Sequence, residues 1–216
     1  MLRRCVDLFV AFAALIVAGP LMLAISFLIW MQDGSPVLFF QLRAGLRATP
    51  FRMIKFRTMR LNAEQTGGSL TFKSDQRITP FGRFLRKYKL DELPQLFNVL
   101  RGDMTLVGPR PEVLDWVERY TPEQREVLQV KPGLSDPVQL LFRHEQDYLA
   151  SATEYEQLFI IKVRKQIEYL RTRTAISDFV TALRTVRTLL PSQASDEELR
   201  TYADIQTRSP GQKETR

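Results

Sequence analysis

The sequence predicts a small α/β domain, mostly helical, fastened to a membrane by an N-terminal kinked re-entrant helix and touching the membrane surface through further amphipathic helices. Three observations predict it. An apolar run spans 5–31, with Asp7 as its only charge and Gly19-Pro20 near its middle. Two segments with strand character, 37–41 and 51–59, follow it. From Thr79 onward, apolar residues recur at helical spacing among lysines and arginines.

The run of about 27 residues is long enough to cross a bilayer as a helix. A proline inside such a helix removes a backbone donor and costs roughly 3 kcal/mol unless neighbours compensate. Arg3 and Arg4 precede the run, and after it, between Asp33 and Glu64, come Arg43, Arg47, Arg52, Lys55, Arg57 and Arg60 with no acid among them. Both flanks therefore favour the cytoplasmic side. A helix broken at Gly19 and Pro20 satisfies both by entering and leaving through one face. A spanning anchor with a tolerated proline is the competing reading, and a cleaved signal peptide fits less well because the apolar stretch is too long.

The chain has 216 residues, enough for one domain (33–190) besides the membrane segment (1–32) and a polar C-terminal tail (191–216). Lys and Arg outnumber Asp and Glu by 31 to 24, a formal net charge of +7, which calls for an anionic partner: phosphorylated substrate, lipid headgroup or nucleic acid. Nucleic acid is not expected, because the acids sit among the bases and the aromatic and glycine-rich signature of single-strand readers is missing. Cys5 and His144 are each the only residue of their kind, which excludes an intramolecular disulfide and makes a zinc site improbable. Any metal should be a hard one held by oxygen. Cys5 is expected to be a buried thiol.

The pattern then sets each element. Residues 37–41 form a short strand, and 51–59 a second in which Lys55 and Arg57 share a face, as a phosphate site would want. Gly67-Gly68-Ser69 marks a loop. Thr79-Pro80 opens an amphipathic basic helix with Phe81, Phe84, Leu85 and Tyr88 on one stripe, suited to the headgroup plane or to core packing. Residues 90–100 form a helix with Asp91 as N-cap and a buried stripe of Leu93, Leu96, Phe97 and Leu100. After a short strand at 105–107, prolines fix the backbone on both sides of Arg110. Helices are expected at 113–120, 121–130, 155–169 and 177–190, the last core-packed, with a constrained loop at 131–137 and a disordered end at 207–216.

Asp91 and Glu92 at a helix start have a plain explanation, since acids there interact favourably with the helix dipole. Their neighbours support a second one. Arg86, Lys87 and Lys89 lie just upstream, and a carboxylate among phosphate-binding cations commonly marks Mg²⁺, which makes Asp91 the metal-ligand candidate. Arg86, Arg110 with Pro111, and the Lys55/Arg57 pair are the phosphate-binding candidates, suited to phosphoryl transfer.

Taken together, Lys55-Phe56-Arg57-Thr58-Met59, Leu90-Asp91-Glu92-Leu93-Pro94-Gln95, Arg101-Gly102-Asp103-Met104, Val107-Gly108-Pro109-Arg110-Pro111 and Lys131-Pro132-Gly133 resemble the monotopic phosphoglycosyl transferases of bacteria. The resemblance runs to about Leu190. It implies a catalytic domain at the cytoplasmic face of the inner membrane, among its lipids, on a re-entrant helix broken at Pro20. It implies transfer of a phosphosugar from a nucleotide diphosphate sugar, usually a uridine one, to a polyprenyl phosphate, with Mg²⁺ as cofactor and release of the nucleoside monophosphate. Asp91 would be the nucleophile that carries a covalent phosphosugar, and Glu92 the base or proton-handling partner. Lys89, and Ser135-Asp136-Pro137 after the Lys-Pro-Gly, depart from the family pattern. A homodimer is compatible with the pattern. The alternatives are a membrane-bound Mg²⁺-dependent phosphatase or diphosphatase and a non-enzymatic basic membrane adaptor.

Overall fold

A computed structural model describes residues 2–61, 63, 75–148, 151–187 and 195–208. It is mostly helical, as expected, and its strands form two small sheets among the described residues. The apolar run forms one long helix, α1 (Leu2–Asp33), which continues through Pro20. One face of α1 docks along the domain. Ala11 packs among Phe51, Met53, Leu96, Val99 and Met104, and Ile25 and Ile29 pack on Phe56 and Leu85. The other face, with Phe9, Ile16, Val17 and Leu23, is bare. Cys5 lies exposed, which corrects the expectation of a buried thiol.

Polar residues tie both ends of α1 to the domain. Asp7, the lone charge of the run, is buried and accepts from Thr105 Oγ1 at 2.7 Å and from the Leu106 N–H at 3.3 Å. Arg4 donates to the carbonyls of Val99 at 2.6 Å and Leu100 at 3.0 Å. At the far end Arg57 Nη2 donates to the carbonyls of Asp33 at 3.0 Å and Gly34 at 2.8 Å, where a cation complements the negative end of the helix dipole.

Strands β1 (Leu38–Ala44) and β2 (Pro50–Phe56) form an antiparallel hairpin with Leu38 opposite Phe56 and Ala44 opposite Pro50. β2 stops three residues short of the expected strand. Thr58 then receives the N–H of Thr79 on its carbonyl, so the chain leaves the ladder for the start of α2 (Pro80–Lys87). Thr79 caps α2, its Oγ1 accepting from the Gly82 N–H at 2.9 Å. Only glycine fits at 82, because a Cβ there would stand 2.1 Å from the Thr58 carbonyl oxygen.

The helix expected over 90–100 is split. Residues Leu90–Glu92 make a 3-10 turn, and α3 (Gln95–Arg101) begins after Pro94, so Asp91 is not an N-cap. The backbone bonds here run three residues back, the Leu93 N–H to the Leu90 carbonyl and the Leu96 N–H to the Leu93 carbonyl, so the chain winds more tightly than an α-helix before α3 begins. Leu96 is buried, but Phe97 is nearly half exposed, a second correction to that stripe. Strand β3 (Thr105–Val107) lies where a short strand is expected and pairs in parallel with β4 (Gly133–Ser135), Thr105 with Gly133 and Val107 with Ser135; β4 falls where the sequence reads as a loop.

Beyond Arg110 come α4 (Leu114–Glu118), a 3-10 segment (Gln124–Gln129), α5 (Pro137–Leu141), α6 (Glu145–Tyr148) and α7 (Ala152–Thr172). Phe159, Val163 and Ile167 of α7 pack on Val117, Tyr120, Val127 and Leu128. Helix α8 (Ala175–Arg187) does not pack as expected: Thr181 is its buried residue, while Ile176, Phe179, Leu183 and Val186 face outward. The expected polar tail is corrected as well. Residues 196–208 form α9 (Asp196–Arg208), whose Tyr202 and Ile205 pack on Val138, Phe142 and Leu158. The loop expected at 67–69 and the chain end after 208 lie outside the described residues.

Candidate active site

Asp91 and Glu92 share the 3-10 turn that follows Lys89, whose backbone is left-handed at φ 57°. Apolar neighbours fix this turn, for Leu90 and Leu93 on either side of the pair press against the cluster of Ile25, Ile29, Phe56 and Leu85. The carboxylates themselves are 6% and 8% exposed. Burying two acids side by side is costly unless cations compensate.

Glu92 has that compensation. Its Oε1 accepts from Lys55 Nζ at 3.0 Å, reaching from β2, and from Arg110 Nη2 at 3.1 Å, reaching from the loop after β3. Burial pushes the Glu92 carboxyl up, but Arg110, Lys55 and Lys89 outweigh it and hold it well below the usual carboxylate range. Burial lowers the Lys55 ammonium to about 8 against the pull of Glu92. Burial also works against the Arg110 guanidinium, yet Glu92 prevails and raises it further.

Asp91 is arranged differently. Its Oδ1 is buried and has no hydrogen-bond partner among the described residues. Arg86 lies within electrostatic reach of Asp91, with its Nε donating to Thr58 Oγ1 at 2.8 Å; burial lowers its pKa, and Asp91 and Asp75 oppose that. The turn thus presents one carboxylate neutralised by two cations and one with lone pairs to spare. Two cations that converge on a single carboxylate oxygen can as readily receive a phosphate.

The sequence-predicted residues divide accordingly. Lys55, Arg110, Asp91 and Glu92 come together. Arg57 does not share Lys55's direction, because β2 ends at Phe56, and its Nη2 instead holds the end of α1; its Nε and Nη1 are buried without a partner among the described residues. Pro111 frames the Arg110 loop with Pro109, and its carbonyl accepts from Arg43 Nη1 at 3.2 Å. Gly19 and Pro20 lie within α1, where a Cβ at Gly19 would meet nothing within 4 Å.

Several neighbours were not singled out from sequence for this site. Asp136 Oδ2 accepts the Arg110 N–H at 2.9 Å, and its Oδ1 accepts the Val138 N–H at 2.8 Å as the cap of α5. An Asp-Pro pair at a helix start is a legible cap signal, although its partner 26 residues upstream is not. Glu145, paired with Lys162 at 2.7 Å, adds its field to Arg110. Arg43 pairs with Glu112 at 3.1 Å behind the same loop. Gln95, four residues after Asp91, is buried, and its amide nitrogen has no partner among the described residues.

A family described as Bacterial sugar transferase matches residues 1–192. The chain is 36% identical to a UDP-N-acetylgalactosamine-undecaprenyl-phosphate N-acetylgalactosaminephosphotransferase of Aeromonas hydrophila, over 88% of this chain and 44% of that protein. It is 40% identical to an undecaprenyl-phosphate galactose phosphotransferase of Salmonella typhimurium, over 68% of this chain and 34% of the relative. A UDP-glucose:undecaprenyl-phosphate glucose-1-phosphate transferase of Caulobacter vibrioides is 36% identical over 87% of this chain and 69% of its own length. The chain therefore spans less than half of the first two relatives. The match covers α1, the buried carboxylate turn and the loop that brings Arg110 to Glu92, and the chain belongs to the bacterial sugar transferase family.

Proposed function

We propose that the protein is a phosphoglycosyl transferase that moves a phosphosugar from a nucleotide diphosphate sugar, a UDP sugar, to a polyprenyl phosphate at the cytoplasmic membrane face. The observation that carries this reading is the asymmetric pair: Asp91, with a buried oxygen that has no partner among the described residues, next to Glu92 holding Lys55 and Arg110. The three relatives described above, whose names all include undecaprenyl phosphate, support the acceptor.

In the first half-reaction the Asp91 carboxylate attacks the sugar-linked phosphorus. The bond from that phosphorus to the bridging oxygen breaks, its electron pair stays on that oxygen, and UMP leaves. In the second, an oxygen of the polyprenyl phosphate attacks the same phosphorus, the aspartyl–phosphorus bond breaks, and polyprenyl diphosphate sugar is formed. Lys55 and Arg110 turn from Glu92 to the phosphate oxygens and stabilise the charge that spreads over them. A phosphate monoester is largely dianionic at neutral pH, its second pKa being about 6. Glu92 therefore has little proton to remove. Held well below the usual carboxylate range, it serves chiefly to keep the two cations in place until substrate arrives.

Mg²⁺ fits Asp91. No group of three or more His, Cys, Asp or Glu is placed to hold a metal among the described residues, but Mg²⁺ is usually held by one or two carboxylates together with substrate phosphates. Asp91, with lone pairs unused, would hold it, and the bound ion would neutralise diphosphate charge.

The re-entrant arrangement of α1 belongs to the same proposal. Arg3 and Arg4 at its start and Asp33 at its end all bond to one domain, which supports both ends lying on the cytoplasmic side. The bare face of α1 and the outward apolar residues of α8 would sit in lipid, with α2 at the headgroups. Ile25 and Ile29 of α1 pack beside Leu90 and Leu93, so a lipid acceptor would approach the turn from the membrane side. The test is a covalent adduct: incubation with a panel of UDP sugars and no acceptor should add one phosphosugar mass to a peptide containing Asp91. Turnover with undecaprenyl phosphate by a protein that never acquires this mass would rule out the covalent step.

A further inference from the structure

We propose that the side-chain amide of Gln95 donates a hydrogen bond to a phosphoryl oxygen of the nucleotide sugar; the inference rests on the donor assignment made above. Five buried side-chain polar atoms lack a partner among the described residues, and four of them belong to Arg57, Asp91 and Gln95. The fifth, Arg173 Nε, is on a side chain whose Nη2 bonds to the Val107 carbonyl and Asp178. Native interiors leave few polar groups unpaired, because each forfeits its hydration without return.

A second amide on the same helix shows what a purely structural one looks like. Asn98, three residues after Gln95 and equally buried, is fully bonded: its Oδ1 accepts from the Ile54 N–H at 3.0 Å, and its Nδ2 donates to the Arg52 carbonyl at 2.7 Å and to Asp103 at 3.1 Å. Gln95 is 1% exposed, and its Nε2 donates to nothing among the described residues. An amide that only filled space there would be better replaced by methionine or leucine. Gln95 opens α3, four residues after Asp91, and Leu93 and Pro94 between them keep a right-handed helical backbone, so the amide and the carboxylate rise from one short winding stretch of chain.

The chemistry favours a neutral donor at this position. A lysine or arginine would pair with Asp91 and mask its lone pairs, as Lys55 and Arg110 do to Glu92. An amide N–H can meet an anionic oxygen of the diphosphate while leaving the carboxylate free to attack.

The experiment uses the full chain in detergent and reads UDP affinity by calorimetry, with Asp91 intact and in an Asp91→Asn background that cannot turn over. Gln95→Met should weaken UDP binding roughly tenfold in both, and Gln95→Glu more, since it sets an anion against the phosphates. The melting temperature of Gln95→Met should equal or exceed that of the parent, because a buried unpaired donor has been replaced at nearly constant volume. Unchanged UDP affinity in Gln95→Met, whatever happens to turnover, would overturn the contact and make Gln95 at most a positioning residue for Asp91. A lowered melting temperature with intact affinity would make it structural. If the parent binds no UDP while Gln95 is intact, the nucleotide donor assignment itself fails, and the contact with it.

Discussion

Asp136 accepts the backbone N–H of Arg110 at 2.9 Å, across a gap of 26 residues. With prolines at 109 and 111, that N–H is the only backbone donor the three-residue loop has; its carbonyls are tied as well, Pro109 accepting from the Gly133 N–H at 2.8 Å and Pro111 from Arg43 Nη1 at 3.2 Å, and the Asp136 bond is the one made at Arg110 itself. The other partners of Asp136 are donors too, the Val138 N–H and the Gln166 amide, and its two oxygens are fully used as acceptors. An asparagine must turn its NH₂ toward at least one of these N–H groups.

Asp136→Asn should therefore cost about 1–3 kcal/mol of stability, read as a lower midpoint in chemical denaturation. Its effect on transfer should go further, a roughly tenfold to hundredfold fall in kcat/KM, because a displaced Arg110 no longer meets the phosphate. A variant with the stability loss but parental kcat/KM would show that Arg110 does not need this fixing.

Local signals were legible in the sequence, and long-range ones were not. Thr79-Pro80 announced its helix start because a cap and an N1 proline act within three residues. The strand read at 37–41 and the helix read at 155–169 are both present, as the longer β1 and α7. Lys55, Glu92 and Arg110 were named from motifs and meet in space. What failed depended on contacts made elsewhere. Arg57 left the side of Lys55 because the end of α1 offered it two carbonyls. The pairing of β3 with β4 joins segments only three residues long, too short for a period to show. Helix α8 has the stripe of a core helix, and nothing local tells a face packed in the core from one left exposed.

Lys55 sets a pH limit. Its ammonium is held at about 8 where a free lysine has 10.5, with burial as the main cause. The charged fraction falls as pH rises through about 8, so kcat/KM should decline above that value. Stability should move the other way. Between the two values the unfolded chain keeps the proton that the folded chain has lost, so this group's contribution to stability rises with pH across that window. Lys55→Arg stays charged throughout and should remove the alkaline decline in rate, at some cost in geometry. A parental pH–rate curve that stays flat to pH 9.5 would mean that Lys55 keeps its proton or takes no part.

Glu198 on α9 lies beyond the 1–192 family match and is 1% exposed. It accepts the His144 N–H at 2.9 Å, faces His144 Nδ1 at 3.0 Å and accepts the Tyr202 hydroxyl at 2.7 Å. The next residue, Glu145, acts on Arg110. Glu198→Ala leaves a backbone N–H and a hydroxyl without their partner and should destabilise by about 2–5 kcal/mol. Tyr202→Phe removes one bond and should cost about 1 kcal/mol. Equal effects of the two substitutions in thermal denaturation would mean that the His144 bonds contribute nothing.

The last prediction concerns which side of the membrane holds the start of α1. Arg4 bonds to the carbonyls of Val99 and Leu100, and Asp7 to Thr105 and Leu106, all within the domain that carries the carboxylate turn. A spanning helix would pull these residues to the far side and break every one of those bonds, leaving Asp7 in or beyond the hydrocarbon. A charged side chain at the bilayer centre costs about 3 kcal/mol or more, and each lost charge-assisted bond adds about 1.5–3 kcal/mol. Against this, a straight apolar helix of 32 residues is long enough to span. Replacing Gly19-Pro20 with Ala-Leu strengthens that straight form by restoring a backbone donor and a good helix former. Asp7→Leu removes both the docking bonds and the penalty for burying the charge in lipid. The combined variant should therefore shift toward spanning, while the parent should keep both ends inside. A Leu2→Cys reporter in a Cys5→Ser background, probed in intact cells with a thiol reagent that cannot cross the inner membrane, separates the cases. Labelling should appear in the combined variant and be absent from the parent until lysis. Labelling of the parent before lysis would put Arg3 and Arg4 outside and overturn the re-entrant arrangement.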